Sequence, residues 1–264
     1  MIRRISLWSV TVLILLSLGS LAVIGWVGSE RALHPAYGRY KWSLATFPDL
    51  HPERIQVRGA DNILLDGRFF RGAHSSLVIL ASGYGDTQDQ MLSIAEFLHR
   101  AGFSVLTYNS RARATSGGKY VTLGAMEQQD VVSLVNYAVG RRDVDANRIG
   151  ILGISMGGAS AILAAARDKR LRAVVDDSGF RANVDVNRVR PMDVITEVSP
   201  RSLLIIHESG DAIVPVDNSL RNFAAACQPE ELWLVPGSGH AQAETIAKPE
   251  YETRVTKVFE DALR

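Results

Sequence analysis

The chain has 264 residues, 47% of them hydrophobic and 22% charged, with a formal net charge of +1 and a single cysteine, Cys227. A near-neutral balance without a basic block gives no support to nucleic-acid binding. One thiol excludes an internal disulfide, no Cys/His spacing suits zinc, and neither a metal nor an organic cofactor is expected.

The first predicted element is the uncharged run from Ile5 to Gly28. At about 1.5 Å per residue it is long enough for a hydrocarbon core of about 30 Å. Trp8 and Trp26 stand near its ends, where interfacial aromatics collect. Residues 1–28 are therefore read as an N-terminal transmembrane helix, a single-pass anchor that meets the membrane through residues 5–28. A cleaved secretory signal is the alternative. Arg3 and Arg4 favour an inside N-terminus, while Arg31, Arg39 and Lys41 beyond the run pull the other way. The balance leans towards a domain outside the cytoplasm.

Residues 29–53 carry four Pro or Gly positions and read as a connector. Residues 54–264 read as one domain. "RIQVRG" and "ILLDGRFF" are strands around a turn. "SSLVILAS" is a strand buried on both faces. "DQMLSIAEFLHRAG" has apolar spacing of three and four and is a helix stopped at Gly102. "FSVLTYN", "RIGILGI", "LRAVVDDS", "SLLIIHES" and "ELWLVPG" follow as strands. "EQQDVVSLVNYAVGR", "MGGASAILAAARD", "VDNSLRNFAAAC" and "PEYETRVTKVFEDAL" are helices. Cys227, at the end of one apolar helical pattern, is expected to be a small core residue. Buried strands alternating with helices predict an α/β domain: a mostly parallel, doubly wound sheet with helices on both faces.

Chemistry in such sheets gathers beyond the carboxyl ends of the strands. There, Gly153-Ile154-Ser155-Met156-Gly157 fits G-x-S-x-G, between a strand and an Ala-rich helix. A tight strand-to-helix elbow admits only glycine-sized flanks and lifts the serine hydroxyl above the sheet. The Met156 N–H then opens a helix and suits a developing oxyanion. A serine needs a base, and His240, in the Gly-rich loop after the last strand, is the candidate. His207 ends a strand next to the acid candidate and reads as structural. The base needs a carboxylate to hold its tautomer. Asp211 is preferred, with Asp176 and Asp177 as rivals, because Ser155, Asp211 and His240 then run in the chain order expected of this topology. The loop "SGYG" offers the Tyr84 N–H as second oxyanion donor.

These residues resemble the α/β-hydrolase superfamily of serine hydrolases, over most of residues 54–264, and within it the small enzymes near the acyl-peptidase and dienelactone-hydrolase branches. "GISMGG" matches the elbow. "HESGDAIVP" resembles the family's H-G-x-x-D-x-x-V-P run, with Glu208 where glycine is usual. "NSRARATSGG" resembles the loop after strand four, with Asn109 in place of an acid and Ala112 and Ala114 in place of glycines. Arg111 matches the family's arginine and is read as bracing that loop. The resemblance implies the α/β-hydrolase fold for the catalytic domain. Only about twenty residues follow "VVDDSG" before the next strand, so a minimal cap and an open cleft are expected.

The expected activity is a serine hydrolase cleaving carboxylic esters or thioesters through Ser155, His240 and Asp211 and an acyl-enzyme. The substrate expected is a small-molecule or lipid-like acyl compound. Two alternatives stay open: a serine peptidase of the prolyl-oligopeptidase type, and a catalytically silent, membrane-tethered binding module on the same fold.

Overall fold

A computed structural model describes residues 7–36, 42–180, 190–237 and 239–264. Arg3, Arg4, Arg39 and Lys41, on which the orientation reading turns, lie outside the described residues. The chain divides into two compact units, Met1–Ala36 and Tyr37–Arg264.

The first unit is helix α1, Leu7–Leu33. It continues past Gly28, where the sequence reading ended it. Ser29 to Leu33 hold no breaker, and the Ser29 hydroxyl donates back to the Trp26 carbonyl at 2.8 Å. Pro35, which restricts the residue before it, follows the end. Leu13 to Leu16, Ile24 and Trp26 are all exposed, so the helix is apolar all round. Thr11–Leu33 is long and apolar enough to cross a membrane, a property a signal sequence shares.

The second unit is built on an eight-stranded sheet of order β1-β2-β4-β3-β5-β6-β7-β8. β1 (Glu53–Arg58) and β2 (Leu64–Phe70) form a hairpin, and β2 pairs antiparallel with β4 (Ser104–Tyr108). The rest is parallel: β3 (Leu77–Ala81), β5 (Ile149–Ile154), β6 (Leu171–Asp177), β7 (Ser202–Glu208) and β8 (Glu230–Val235).

Period-two alternation divides each central strand between two cores. Leu77, Ile79 and Ala81 of β3 face one core. It also holds Leu134 of α3 (Glu127–Val139) and Ile162 of α4 (Met156–Arg167). Val78 and Leu80 face the other core, with Leu98 of α2 (Leu92–Arg100) and Phe259 of the last helix (Lys248–Leu263). Covering both faces is what lets β5 be buried at every residue. Because β3, β5, β6, β7 and β8 are parallel, the segments after them emerge at one edge.

Between β6 and β7, residues 181–189 of the expected minimal cap lie outside the described residues. The described part forms α5 (Pro191–Val194) and a 3₁₀ turn, Ile195–Val198, both packed on α4. Helix α6 (Asp217–Ala225) ends two residues short of Cys227, where the sequence pattern "VDNSLRNFAAAC" ended it. Ala226 is already extended, at φ −70° and ψ 161°. Cys227 therefore falls in the turn to β8 and is exposed, which corrects its expected place in the core.

Candidate active site

The elbow after β5 is made by close contacts. A Cβ on Gly153 would stand 2.1 Å from the Gly157 carbonyl oxygen, and one on Gly157 would stand 2.1 Å from that of Ala81. No larger residue fits the bracket without moving β3 or α4. Ser155 itself takes φ 53°, ψ −113°, a backbone conformation that L-residues rarely adopt. Its N–H is held by the Asp177 carbonyl at 2.8 Å. The packing of two glycines thus maintains a strained serine at the start of α4, whose first N–H groups have no partner within the helix.

The structure brings the three predicted side chains into one hydrogen-bonded row. The Ser155 hydroxyl lies 2.8 Å from His240 Nε2. His240 Nδ1 lies 2.6 Å from Asp211 Oδ2. A carboxylate accepts only, so the proton belongs on Nδ1 and Nε2 is left to accept from the serine. The other Asp211 oxygen accepts the backbone N–H groups of Ile213 and Val214, both at 2.8 Å. Three donors therefore fix one carboxylate.

His207 is placed as the sequence reading expected, in a structural role. It is fully buried, its Nδ1 meets the Ser219 hydroxyl at 2.6 Å and its Nε2 donates to the Val214 carbonyl at 2.8 Å. With both ring nitrogens engaged it braces the Asp211 loop. The rivals Asp176 and Asp177 are fully buried at the end of β6, and no hydrogen bond joins either to His240. Arg111 also takes the bracing role read from the sequence, pairing twice with buried Asp130 at 2.8 and 2.9 Å. Ala112 and Ala114 keep positive φ values of 56° and 45°, so alanine occupies backbone that favours glycine.

A cavity of about 440 Å³ opens over Ser155 and His240, walled by Tyr84, Asp86, Ile154, Ile213 and Gln242 among others. Ile213 is 74% exposed and Tyr84 37% exposed, so these two mark an open mouth. The Gly83 N–H is taken by Gln90 Oε1 at 2.7 Å, which removes that amide from an oxyanion role. Tyr84, the expected second donor, follows it in the same loop.

Two acids in this region were given no role by the sequence reading. Asp86 lies in the cavity wall. Glu208 is fully buried; one oxygen accepts the Ser178 hydroxyl at 2.8 Å, and the other accepts the Gln242 N–H two residues beyond His240. It ties the histidine loop to the ends of β6 and β7. Its departure from the family's glycine was visible, but only the folded loops reveal a partner.

The sequence profile of the X-Pro dipeptidyl-peptidase (S15) family matches residues 71–192. That stretch includes Tyr84, Ser155 and Met156 and ends before Asp211 and His240. The uncharacterised protein YfhR of Escherichia coli (strain K12) is 26% identical over 228 residues, covering 78% of this chain and 77% of that one. The uncharacterised protein Rv2307c of Mycobacterium tuberculosis (strain ATCC 25618 / H37Rv) is 28% identical over 211 residues, covering 73% of each. Among solved structures, the Pyrococcus furiosus esterase Pf2001 superposes with a TM-score of 0.76 at 22% identity, over 88% of this chain and 100% of that one. Esterase and peptidase-family likenesses support a hydrolase. Its sheet order, its elbow after β5 and these likenesses show that the chain has the α/β-hydrolase fold.

Proposed function

We propose that the protein is a serine hydrolase of carboxylic ester or thioester bonds. The observation that carries this reading is the row of contacts from Ser155 through His240 to Asp211, at 2.8 and 2.6 Å. Ser155 Oγ attacks the acyl carbonyl while its proton passes to His240 Nε2, and Asp211 stabilises the imidazolium so formed. The tetrahedral oxyanion accepts from the Met156 N–H, at the start of α4, and from the Tyr84 N–H. Each such donor typically contributes about 3–4 kcal/mol. Collapse expels the alcohol or thiol, which takes the proton from His240. Water, deprotonated by the same imidazole, then releases the acyl group and restores Ser155.

The apolar α1 supports a membrane anchor, and the placing of the catalytic domain outside the cytoplasm rests on the flanking charges of the sequence. An acyl substrate drawn from lipid or a lipid-like small molecule fits that setting. A peptidase is the second reading, favoured by the S15 match over residues 71–192. The likeness to the Pyrococcus furiosus esterase puts esters first.

The test is labelling of the full chain in detergent with a fluorophosphonate probe, followed by turnover of matched ester, thioester and anilide substrates. Labelling that disappears in Ser155→Ala, with esters turned over fastest, is the expected result. A folded wild-type protein that takes no label would instead be the silent binding module. Anilides turned over fastest would make it a peptidase.

A further inference from the structure

Asp86 stands in the wall of the cavity that holds Ser155 and His240, and it is the only carboxylate among the described residues lining it. Its orientation is set locally. Gln90 Nε2 donates to Asp86 Oδ2 at 2.9 Å, while Gln90 Oε1 accepts the Gly83 N–H at 2.7 Å. One amide side chain thus locks the carboxylate to the loop that carries Tyr84. Among the described residues the other oxygen, Oδ1, makes no hydrogen bond and Asp86 makes no salt bridge.

Burial holds the Asp86 carboxyl above the usual carboxylate range, against the pull of the Arg113 and His240 charges. A partly desolvated anion with an unused oxygen gains most from a cationic partner. Across the same cavity Ile154 and Ile213 offer apolar surface, which suits a hydrocarbon stem. Asp86 is not needed for the acyl-transfer steps, which the hydroxyl, the imidazole, Asp211 and two amides complete.

We propose that Asp86 forms a cation subsite beside the nucleophile, selecting ester or thioester substrates that carry an ammonium group on a short apolar stem. This rests on the serine-hydrolase reading of the same cavity. The ammonium can belong to the acyl part or to the leaving group; the chemistry that recognises it is the same.

The experiment compares the full-length wild type with Asp86→Asn. Asparagine keeps an oxygen for Gln90 and removes the charge. Two isosteric pairs separate the sources. Acetylcholine against 3,3-dimethylbutyl acetate puts the charge on the leaving group. The p-nitrophenyl ester of 4-(trimethylammonio)butanoate against that of 5,5-dimethylhexanoate puts it on the acyl part. The readout is the ratio of kcat/KM, cation over neutral isostere. A ratio above one in at least one pair, falling about tenfold in Asp86→Asn, is expected. A ratio near or below one in both pairs, or one that survives the substitution, overturns the subsite. Choline binding to both proteins, followed by ligand-observed NMR, needs no turnover and so separates failure of the subsite from failure of the hydrolase reading. Binding weakened by Asp86→Asn supports the subsite even in a protein that hydrolyses nothing, and equal or absent binding overturns it.

Discussion

The carboxyl ends of β6 and β7 lie side by side in the sheet and both carry acids, yet the two ends behave in opposite ways. After β7, Asp211 sits in a loop whose own backbone gives two N–H groups to one of its oxygens, and the loop after β8 brings the His240 ring to the other. After β6, Asp176 and Asp177 are still in the strand and are sealed from solvent. Burial pushes both up to about 7, and the neighbouring Glu208 charge adds to the effect on Asp177. The Ser178 hydroxyl touches Asp177 Oδ1 and Glu208 Oε2, both at 2.8 Å. One hydroxyl has one proton to give, so the contact is satisfied when Asp177 is protonated. A carboxylate therefore works as an anion where loops bring backbone and imidazole donors, and is held towards its protonated form where the strand end seals it from solvent.

Substituting the two acids separately separates these roles most sharply. Asp211→Asn lets His240 take the wrong tautomer, and kcat/KM on the best ester is expected to fall by about 10⁴-fold. Asp177→Asn leaves the backbone carbonyl that holds the Ser155 N–H, and its loss should stay below about tenfold. Steady-state kinetics on both variants checks this, and a larger loss in Asp177→Asn would reverse the assignment of the acid.

Glu208 bridges the two ends, and its removal comes next in size. Glu208→Ala frees the Gln242 N–H and with it the loop that presents His240. A fall in kcat of about 10-fold to 100-fold is expected, since small misplacements of a catalytic group are costly. Partial recovery in Glu208→Gln, which keeps an acceptor, would mark a positioning role, whereas full activity in Glu208→Ala would remove it.

The smallest effect is on stability. Asp176 and Asp177 have ordinary values of 3.8 when solvated and about 7 in the fold. Between those values the native state holds protons that the unfolded chain has released. Stability contributed by these groups therefore falls as pH rises through that window and levels off above it. Thermal unfolding of Asp177→Asn should show a higher Tm than wild type at about pH 8, by a few degrees, with the gap closing near pH 4. A constant gap at all pH values would mean that the Asp177 proton plays no part.

Much of the fold was legible before any coordinates. Runs such as "SSLVILAS" and "RIGILGI" are apolar at both parities, which only a strand covered on both faces tolerates, and they became β3 and β5. The elbow was legible because its requirement is local: glycines two residues either side of Ser155, at Gly153 and Gly157, where a side chain would collide with backbone. Cys227 misled because the apolar spacing of α6 continues beyond the point where Ala226 turns extended. Asp86 carried no periodic or motif signature and Glu208 showed only as a departure from the family's glycine, since their partners Gln90, Ser178 and Gln242 come from separate loops or from a helical turn.

By itself the sequence determined the strands, the helices, the apolar N-terminal segment and the chain order Ser155, Asp211, His240, because local packing and backbone sterics act over a few residues. Only the tertiary structure decided which of three strand-end acids meets the imidazole, that Glu208 fastens the histidine loop, and that Asp86 shares the cavity with the serine. Those outcomes depend on distances between loops far apart in the chain, and such distances are set by the twist and spacing of the whole sheet.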